Sequence, residues 1–286
     1  MRWGLACAAL VLGLAFQLGG AQAKDAPSSS PSPSSTADWR VPDPNDILLI
    51  DTSRGRIIVE LSSASAPEAA AQVRALAHAH FYDGQRFFRV IDGFMDQTGD
   101  PTNTGQGGSS LPNLPGEFTF RLSPGPEALV ASTGGGMDQI LIGDLPVLSQ
   151  TFDLAALTAD HRVNAWPTFC AGVVGMARTS DPASANSQFF LMRAAAPYLD
   201  QKYAAVGRVV AGQEVVKAIK TGDPVADPQD VMKSVRVLAD LPAASRPAIQ
   251  LIDPAGPWMK VQIKRLKADE GTSFSVCDLT LPSIVQ

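Results

Sequence analysis

The chain has 286 residues, of which 45% are hydrophobic and 18% charged, a composition typical of a globular protein with one large or two small domains. Its formal net charge is −5. The chain therefore has no basic surplus with which to neutralise phosphates, and this argues against nucleic acid as a partner.

Residues 1–23 have the three parts of a secretory signal peptide. Arg2 supplies the positive charge, residues 5–18 form an apolar segment, and residues 21–23 read Ala-Gln-Ala, a small-x-small cleavage site. The alternative is an uncleaved membrane anchor, which the short apolar segment disfavours. No later run approaches the ~20 apolar residues of a spanning helix. We therefore expect cleavage after Ala23, no membrane span afterwards, and an exported, periplasmic protein.

Residues 24–45 are rich in Ser and Pro and poor in apolar residues. Such a composition cannot bury a core and predicts a flexible linker. A proline-rich recognition motif is the alternative, but the segment has no clear P-x-x-P pattern.

The first elements of the folded domain are predicted from Asp46 onward. "DILLIDTS" and "GRIIVELS" are β-rich runs around Arg54-Gly55 and predict a hairpin. A helix is predicted to begin at Pro67, with one apolar face; that face comprises Ala69, Val73, Leu76 and His80. A strand "RFFRVI" and a glycine-rich loop "TGDPTNTGQGG" follow.

The second half of the domain is also predicted to contain short strands and a helix. The runs "AGVVGMA", "SQFFLM", "VGRVV" and "MKSVRVLAD" predict strands, and "GQEVVKAIKTG" predicts a short helix with Gly222 as its C-cap. Many short strands with two helices predict a mainly β domain over residues 46–240, built on a closed or nearly closed sheet. Two segments do not fit this plan: an insertion at about 122–168 with weak periodicity, and a C-terminal extension, 241–286. A long insertion in a compact domain is often functional or partly disordered.

Signal cleavage removes Cys7 and leaves two cysteines, Cys170 and Cys277. An even pair in an oxidising compartment suggests one disulfide. Two separate buried thiols are the alternative.

Several common chemistries lack the residues that they need. His78 and His80 are two positions apart, which on a helix points them to different sides, and His161 is isolated. The chain has no G-x-S-x-G motif and no Cys–His context, and its glycine-rich loop lacks the terminal Gly-Lys-Ser/Thr of a phosphate-binding loop. We therefore expect no metal and no cofactor.

The stretch "FFRVIDGFMDQTGDP", residues 87–101, places one arginine and one glutamine among apolar side chains. Rotation about an Xaa–Pro amide, with its barrier of ~18–20 kcal/mol, needs no nucleophile, metal or cofactor. It needs an apolar pocket for the proline ring and a donor toward the prolyl nitrogen, for which a guanidinium is well suited.

At the level of longer motifs, "FYDGQRFFRVIDGFMDQTGDP" resembles the signature of the cyclophilin family of peptidyl-prolyl isomerases. "GVVGMARTSDPASANSQFFLM" resembles the family's second signature, in the form of the bacterial branch, and "YLDQKYAAVGRVVAGQEVV" follows in the family's order. The resemblance covers about residues 46–123 and 170–238. It implies a cyclophilin-like, eight-stranded antiparallel β-barrel capped by two helices.

The resemblance also implies a set of site residues. Arg89 would be the catalytic guanidinium, and Gln97 would hold it or the substrate carbonyl. A proline pocket would be lined by Phe94, Met95, Phe190 and Leu199. An extended peptide would pair with the backbone of Ala177 and Arg178 and contact Gln188. Aromatic rings at the rim would be Tyr198, where many members have tryptophan, and Tyr203, where many have histidine. The alternative is that these are ordinary core residues, with Arg89 a buried ion-pair partner.

Three hypotheses about function follow. The leading hypothesis is an isomerase that assists exported proteins to fold, with proline-containing polypeptides, unfolded or nascent, as partners. The alternative is a cyclophilin-like binding scaffold with weak or no catalysis that uses the insertion and the extension. The complete set of site residues argues against the scaffold. A chaperone that only holds unfolded chains is a third hypothesis.

Overall fold

The structure is a computed structural model that describes residues 32–286, of which 33–286 form one compact unit. The expected signal peptide and the first part of the expected linker lie outside the described residues. In the described part, the helices are α1 (Pro67–His78), α2 (Gln213–Ala218) and α3 (Pro257–Glu270). The strands are β1 (Trp39–Arg40), β2 (Ile47–Thr52), β3 (Arg56–Leu61), β4 (Arg89–Ile91), β5 (Met95–Thr98), β6 (Phe120–Leu122), β7 (Ala128–Gly134), β8 (Met137–Ile142), β9 (Leu145–Gln150), β10 (Val163–Pro167), β11 (Val173–Met176), β12 (Phe189–Met192), β13 (Ala205–Ala211), β14 (Met232–Val237), β15 (Ile249–Ile252) and β16 (Ser283–Val285).

The main sheet has eight antiparallel strands in the order β14-β2-β3-β13-β11-β12-β5-β4. The sheet curls so far that its two edges meet. At the junction, Arg86 pairs with Val231, and the backbone N–H of Phe87 donates to the carbonyl of Asp230 at 3.0 Å. Helix α1 packs against β13 and β14, and α2 packs against β3. The prediction of a mainly β, barrel-type fold with two helices is confirmed.

The sequence of strand β2 is almost continuously apolar, and the structure explains why. Side chains alternate between the two faces of a strand. Leu48 and Ile50 point into the barrel core, whereas Ile47 and Leu49 join a separate cluster with Ile249 of β15. The C-terminal extension therefore covers the outer face of the barrel at β2, and both faces of this strand are buried.

Helix α1 begins at Pro67, as predicted, but its first turn is capped from a distance. The backbone N–H groups of Glu68 and Ala69 donate to the Glu117 carboxylate at 3.0 and 2.9 Å, which satisfies donors that a helix start leaves free. Ala69, Val73 and Leu76 are buried against the barrel core.

Two details of the predicted helices are wrong. His80 does not continue the apolar face, because α1 ends at His78 and His80 is exposed with a φ of +57°. Gly222 does not cap α2, which ends at Ala218; Gly222 pairs instead with Val90 of β4.

The expected linker 24–45 ends earlier than its composition suggests. Thr36–Asp38 form a 3-10 helix with a capping box from Ser35, and Trp39 and Arg40 of β1 pair with β15. The partner strand lies more than 200 positions away, so its contribution to ordering this segment is invisible in local composition.

The insertion at 122–168 is a second sheet rather than a disordered loop. Its antiparallel order is β6-β10-β9-β8-β7. One face buries Ile140, Val147 and Ala165, and the buried Asp138 on β8 accepts hydrogen bonds from Thr133 and from the backbone N–H of Phe152. Such buried polar groups interrupt the alternation, which explains the weak periodicity of the sequence.

The extension 241–286 shares a hydrophobic core with the insertion. Met259 and Ile263 of α3, together with Phe274, pack in the same cluster as Ile140 of the insertion and Phe190 of the barrel. Cys277 forms a disulfide with Cys170, which lies just before β11. The extension is thus held to the strands that border the cluster by packing and by a covalent bond.

A group of charged side chains joins the N-terminal strand, the barrel and the insertion. Arg40 donates to both carboxylate oxygens of Glu60 at 2.6 and 2.7 Å and to Asp144 at 3.1 Å. Arg208 donates to the Asp144 carbonyl at 3.1 Å. Burial, with Glu60 nearby, raises the pKa of the Asp144 carboxyl to about 6.

We expect Cys277→Ser to lower the free energy of unfolding by about 2–4 kcal/mol, because the disulfide closes a long loop and restricts the unfolded chain. Its two cysteines are 107 positions apart. The measurement is urea unfolding of the wild type and the variant, each with and without reductant. Reductant should lower the wild-type midpoint to that of the variant and leave the variant unchanged; a wild-type midpoint insensitive to reductant would contradict the prediction.

Candidate active site

A pocket of about 320 Å³ opens on the outer side of the main sheet, where β5, β11 and β12 lie side by side. The pocket results from the alternation of side chains along β12. Phe189 and Leu191 point into the barrel core, whereas Phe190 points outward into the hydrophobic cluster shared by the insertion and the extension. The pocket brings together nearly all of the site residues that the sequence indicates, namely Arg89, Phe94, Met95, Gln97, Ala177, Arg178, Phe190, Tyr198, Leu199 and Tyr203.

The floor of the pocket is apolar and closely packed. Met95, Phe190 and Leu199 are buried, and the Phe190 ring stacks on Phe169 with centroids 5.9 Å apart. Gly175 faces Phe190 across the strand pair, and a Cβ there would lie 2.4 Å from the Phe190 ring. A glycine is therefore required for the ring to lie flat against the sheet.

Aromatic rings form the rim. Phe94 and Tyr198 lie with centroids 5.9 Å apart, and Tyr198 is 61% exposed. The Arg178 guanidinium lies 4.7 Å from the centroid of Tyr203 and 5.2 Å from that of Phe118, in cation–π contact with both rings. The pocket thus has an apolar floor and an aromatic rim.

A chain of hydrogen bonds runs along the polar side of the pocket. Arg89 Nη1 donates to Gln97 Oε1 at 3.3 Å, and Gln97 Nε2 donates to Gln188 Oε1 at 2.9 Å. Gln188 Nε2 then donates to the Gly107 carbonyl at 2.8 Å. Each amide is fixed at both ends, so the chain leads from the loop at Gly107 to the guanidinium.

Gln188 does not line the pocket itself but a second cavity of about 410 Å³ beside it. The two cavities share Gln97, Ala177 and Arg178. The second cavity is mainly polar, with Ser109 and Asn186 among its lining residues. The two cavities are thus adjacent and together form one groove.

A buried ion pair lies beneath the pocket, between Met95 and Gln97 on β5. Arg193 Nη1 donates to Asp96 Oδ1 at 3.0 Å, and the same guanidinium donates to the carbonyl of Ile219 at 3.3 Å. Burial raises the pKa of the Asp96 carboxyl to about 7, against the lowering effect of Arg193. Asp96, the carboxyl with this raised pKa, thus lies on β5 between two residues that line the pocket.

His78 and His80 lie at the surface, each in contact with an aspartate. His78 Nδ1 is 2.7 Å from Asp240, and His80 Nδ1 is 3.4 Å from Asp83. Over residues 32–286, no group of three or more His, Cys, Asp or Glu side chains could hold a metal ion. No helix in that range is both long and apolar enough to cross a bilayer.

Some residues at the site carry no signal in the sequence. Phe118 and Phe169 support the rim and the floor from outside the motifs, and Asp223 accepts from Arg89 Nε at 3.1 Å. Each reaches the site through tertiary contacts alone, so spacing along the chain does not indicate it.

Comparison with known proteins identifies the family that this chain resembles. The family model described as "Cyclophilin type peptidyl-prolyl cis-trans isomerase/CLD" matches residues 47–239. A probable peptidyl-prolyl cis-trans isomerase of Brucella suis is 30% identical over 208 residues, covering 67% of this chain and 83% of the relative. A peptidyl-prolyl cis-trans isomerase-like 1 of Aspergillus fumigatus is 32% identical over 192 residues, covering 66% of this chain and 92% of the relative.

Among solved structures, the crystal structure of the cyclophilin AquaCyp293 from Hirschia baltica is similar to this chain over most of its length. The TM-score is 0.80 at 34% sequence identity, and the match covers 87% of this chain and 94% of that one. This coverage extends beyond residues 47–239, so the likeness includes parts outside the family-model range.

We expect Asp96→Asn to change how stability depends on pH. Because burial raises the Asp96 pKa from its ordinary 3.8 to about 7, the folded chain takes up a proton before the unfolded chain as the pH falls between these values. In the wild type this carboxyl therefore contributes a gain in the free energy of unfolding from pH 7 down to about 4, and that gain disappears in the variant.

The measurement is urea unfolding across this pH range, with Asp92→Asn as the control. Asp92 contacts the same guanidinium at 3.6 Å but is 85% exposed. Its substitution should leave the pH slope close to that of the wild type. Identical pH slopes for Asp96→Asn and the wild type would show the prediction to be wrong.

Proposed function

The chain belongs to the cyclophilin family of peptidyl-prolyl cis-trans isomerases, and on this basis we propose that it rotates Xaa–Pro bonds at Arg89 to assist the folding of exported proteins. The observation that carries the proposal is the juxtaposition, in one pocket, of an apolar floor with a guanidinium held by fixed acceptors. Uncatalysed isomerisation takes tens to hundreds of seconds and can limit folding.

In the proposed mechanism, the proline ring lies on Met95, Phe190 and Leu199. Burial of the ring removes it from water and fixes one side of the amide while the chain on the other side rotates. No covalent bond forms or breaks, so the pocket has only to favour the twisted amide over the planar one.

Arg89 would supply that preference. In the planar amide, the nitrogen lone pair is delocalised into the carbonyl, and in the twisted amide it is localised on nitrogen and can accept a hydrogen bond. Arg89 Nε and Nη1 are bonded to Asp223 and Gln97, whereas Nη2 has no hydrogen bond to any residue in 32–286. We therefore assign Nη2 as the donor to the prolyl nitrogen. The guanidinium stays charged at any relevant pH, which strengthens such a hydrogen bond.

The remaining site residues would hold the peptide in register. Ala177 and Arg178 lie at the junction of the two cavities, where the backbone of an extended substrate can pair with them. Gln188 borders the polar cavity, and its amide is already oriented by Gly107. Phe94, Tyr198 and Tyr203 would close the rim over the proline. Proline-containing segments of unfolded or nascent polypeptides are the substrates that fit this groove.

Export to the periplasm is part of the proposal and has two supports. The first is the signal-peptide pattern of residues 1–23. The second is the disulfide between Cys170 and Cys277, a bond that persists in oxidising compartments. The insertion and the extension bury their apolar faces in one shared cluster with the pocket strands, which favours a structural role for them over the scaffold hypothesis.

We expect Arg89→Ala to lower kcat/KM by about 10²–10³-fold, the loss typical for one donor that stabilises a transition state. The measurement is cis–trans exchange in a short Ala-Pro-Phe peptide. Arg86→Ala is the matched control, because Arg86 is a neighbouring arginine, pairs with Asp227 at 3.4 Å and does not line the pocket. If the wild type is active and Arg89→Ala isomerises the peptide at the same rate, the assignment of Arg89 is refuted.

We expect the mature chain from a producing bacterium to begin at Lys24 and to appear in the periplasmic fraction. Ala23→Arg should block processing and accumulate the precursor, because signal peptidase requires small residues at the cleavage site. Mass spectrometry of the N-terminus in each cell fraction measures both effects. A full-length chain beginning at Met1 in the cytoplasmic fraction would exclude export.

A further inference from the structure

Arg89 is held from two sides, and only one of the two partners belongs to the strands that form the pocket. Gln97 on β5 accepts from Nη1, whereas Asp223 accepts from Nε at 3.1 Å and lies in the segment between α2 and β14. We infer that Asp223 is a positioning residue that holds the Arg89 guanidinium so that Nη2 faces the substrate. This inference rests on the role proposed above for Arg89.

The backbone beside Asp223 is fixed directly to the strand that carries Arg89. Gly222 and Val90 exchange two backbone hydrogen bonds of 2.7 and 2.8 Å, and the Val225 N–H donates to the Phe88 carbonyl at 2.9 Å. Asp223 is therefore held beside Arg89 by paired neighbours on both chains, rather than by the ion pair alone.

The turn that presents Asp223 depends on Gly222. A Cβ at this position would lie 2.7 Å from the Val225 Cα and 2.8 Å from the Pro224 carbonyl oxygen, closer than real Cβ contacts come. Any larger residue would open the turn and move the carboxylate away from Nε.

The rest of the segment is also tied down. Lys220 Nζ donates to the carbonyl of Ala226 at 2.7 Å, and its backbone N–H donates to Asp230 Oδ2 at 2.8 Å. Asp230 in turn accepts from Arg54 Nε at 2.8 Å. The carboxylate of Asp223 is thus presented by a preorganised support, as accurate catalytic geometry requires.

Arg89 needs such a second partner because packing does not fix it. Its side chain is 37% exposed, and arginine has many rotamers, so the single bond to Gln97 at 3.3 Å would leave the guanidinium free to swing about that contact. Acceptors on Nη1 and on Nε together define the plane of the group. Nη2 is the nitrogen that remains for the substrate.

The same segment offers a matched control. Asp227 pairs with Arg86 at 3.4 Å, is 79% exposed in its side chain, and lies away from the pocket lining. Both pairs join an exposed aspartate of this segment to an arginine in or beside β4. Exposed pairs contribute little to stability, so neither substitution should unfold the chain.

The experiment compares Asp223→Asn and Asp227→Asn with the wild type in the peptide exchange assay. We expect Asp223→Asn to lower kcat/KM about three- to fivefold, through kcat with little change in KM, because the apolar floor is intact. Asp227→Asn should match the wild type. Added salt should slow the wild type more than Asp223→Asn, since an exposed pair is screened.

A spectroscopic measurement separates positioning from a general structural effect. The Nε–H resonance of Arg89 should shift in Asp223→Asn and stay unchanged in Asp227→Asn. Combining Asp223→Asn with Arg89→Ala should cause no loss beyond that of Arg89→Ala, because the carboxylate then has no guanidinium to hold.

The outcomes distinguish this inference from the proposed function. If Arg89→Ala kept full activity, the proposed role of Arg89 would fail, and the inference with it. If Arg89→Ala lost activity while Asp223→Asn matched the wild type in rate and resonance, only the inference would be overturned. Equal losses in Asp223→Asn and Asp227→Asn would also overturn it, since they would reflect the segment rather than the pair.

Discussion

The outward face of β12 is the feature on which the rest of the structure depends. A strand whose Phe189 and Leu191 fill the barrel must turn Phe190 to the outside, where an isolated barrel would expose it to water. The insertion and the C-terminal extension pack against that face, and the pocket opens above Phe190. The floor of the pocket thus belongs to a second hydrophobic core, whose close packing supports it from behind.

Charged groups buried around this core join parts of the chain that are distant in sequence. Arg193 links Asp96 on β5 to the carbonyl of Ile219 after α2, and Arg40 links the N-terminal strand to Glu60 and Asp144. Such contacts add little net stability, because the desolvation of charges offsets their attraction. Their directional hydrogen bonds nevertheless specify how the elements meet.

A rigid surround suits a reaction in which no bond is made or broken. The catalyst has only to hold a ring, orient a donor and exclude alternatives, so accuracy of placement decides the rate. The hydrogen-bond chain from Gly107 through Gln188 and Gln97 holds Arg89 from one side. The paired segment that carries Asp223 holds it from the other.

The sequence by itself determined the features that depend on neighbours along the chain: the hairpin at Arg54-Gly55, the start of α1 at Pro67, and the motif residues that meet in the pocket. These follow from turn residues, side-chain periodicity and long family motifs. Only the tertiary structure decided that 122–168 is a sheet, that Trp39 pairs with β15, and that Asp223 reaches Arg89. Each of these depends on partners distant in sequence, and local patterns contain no information about the partner that completes the contact.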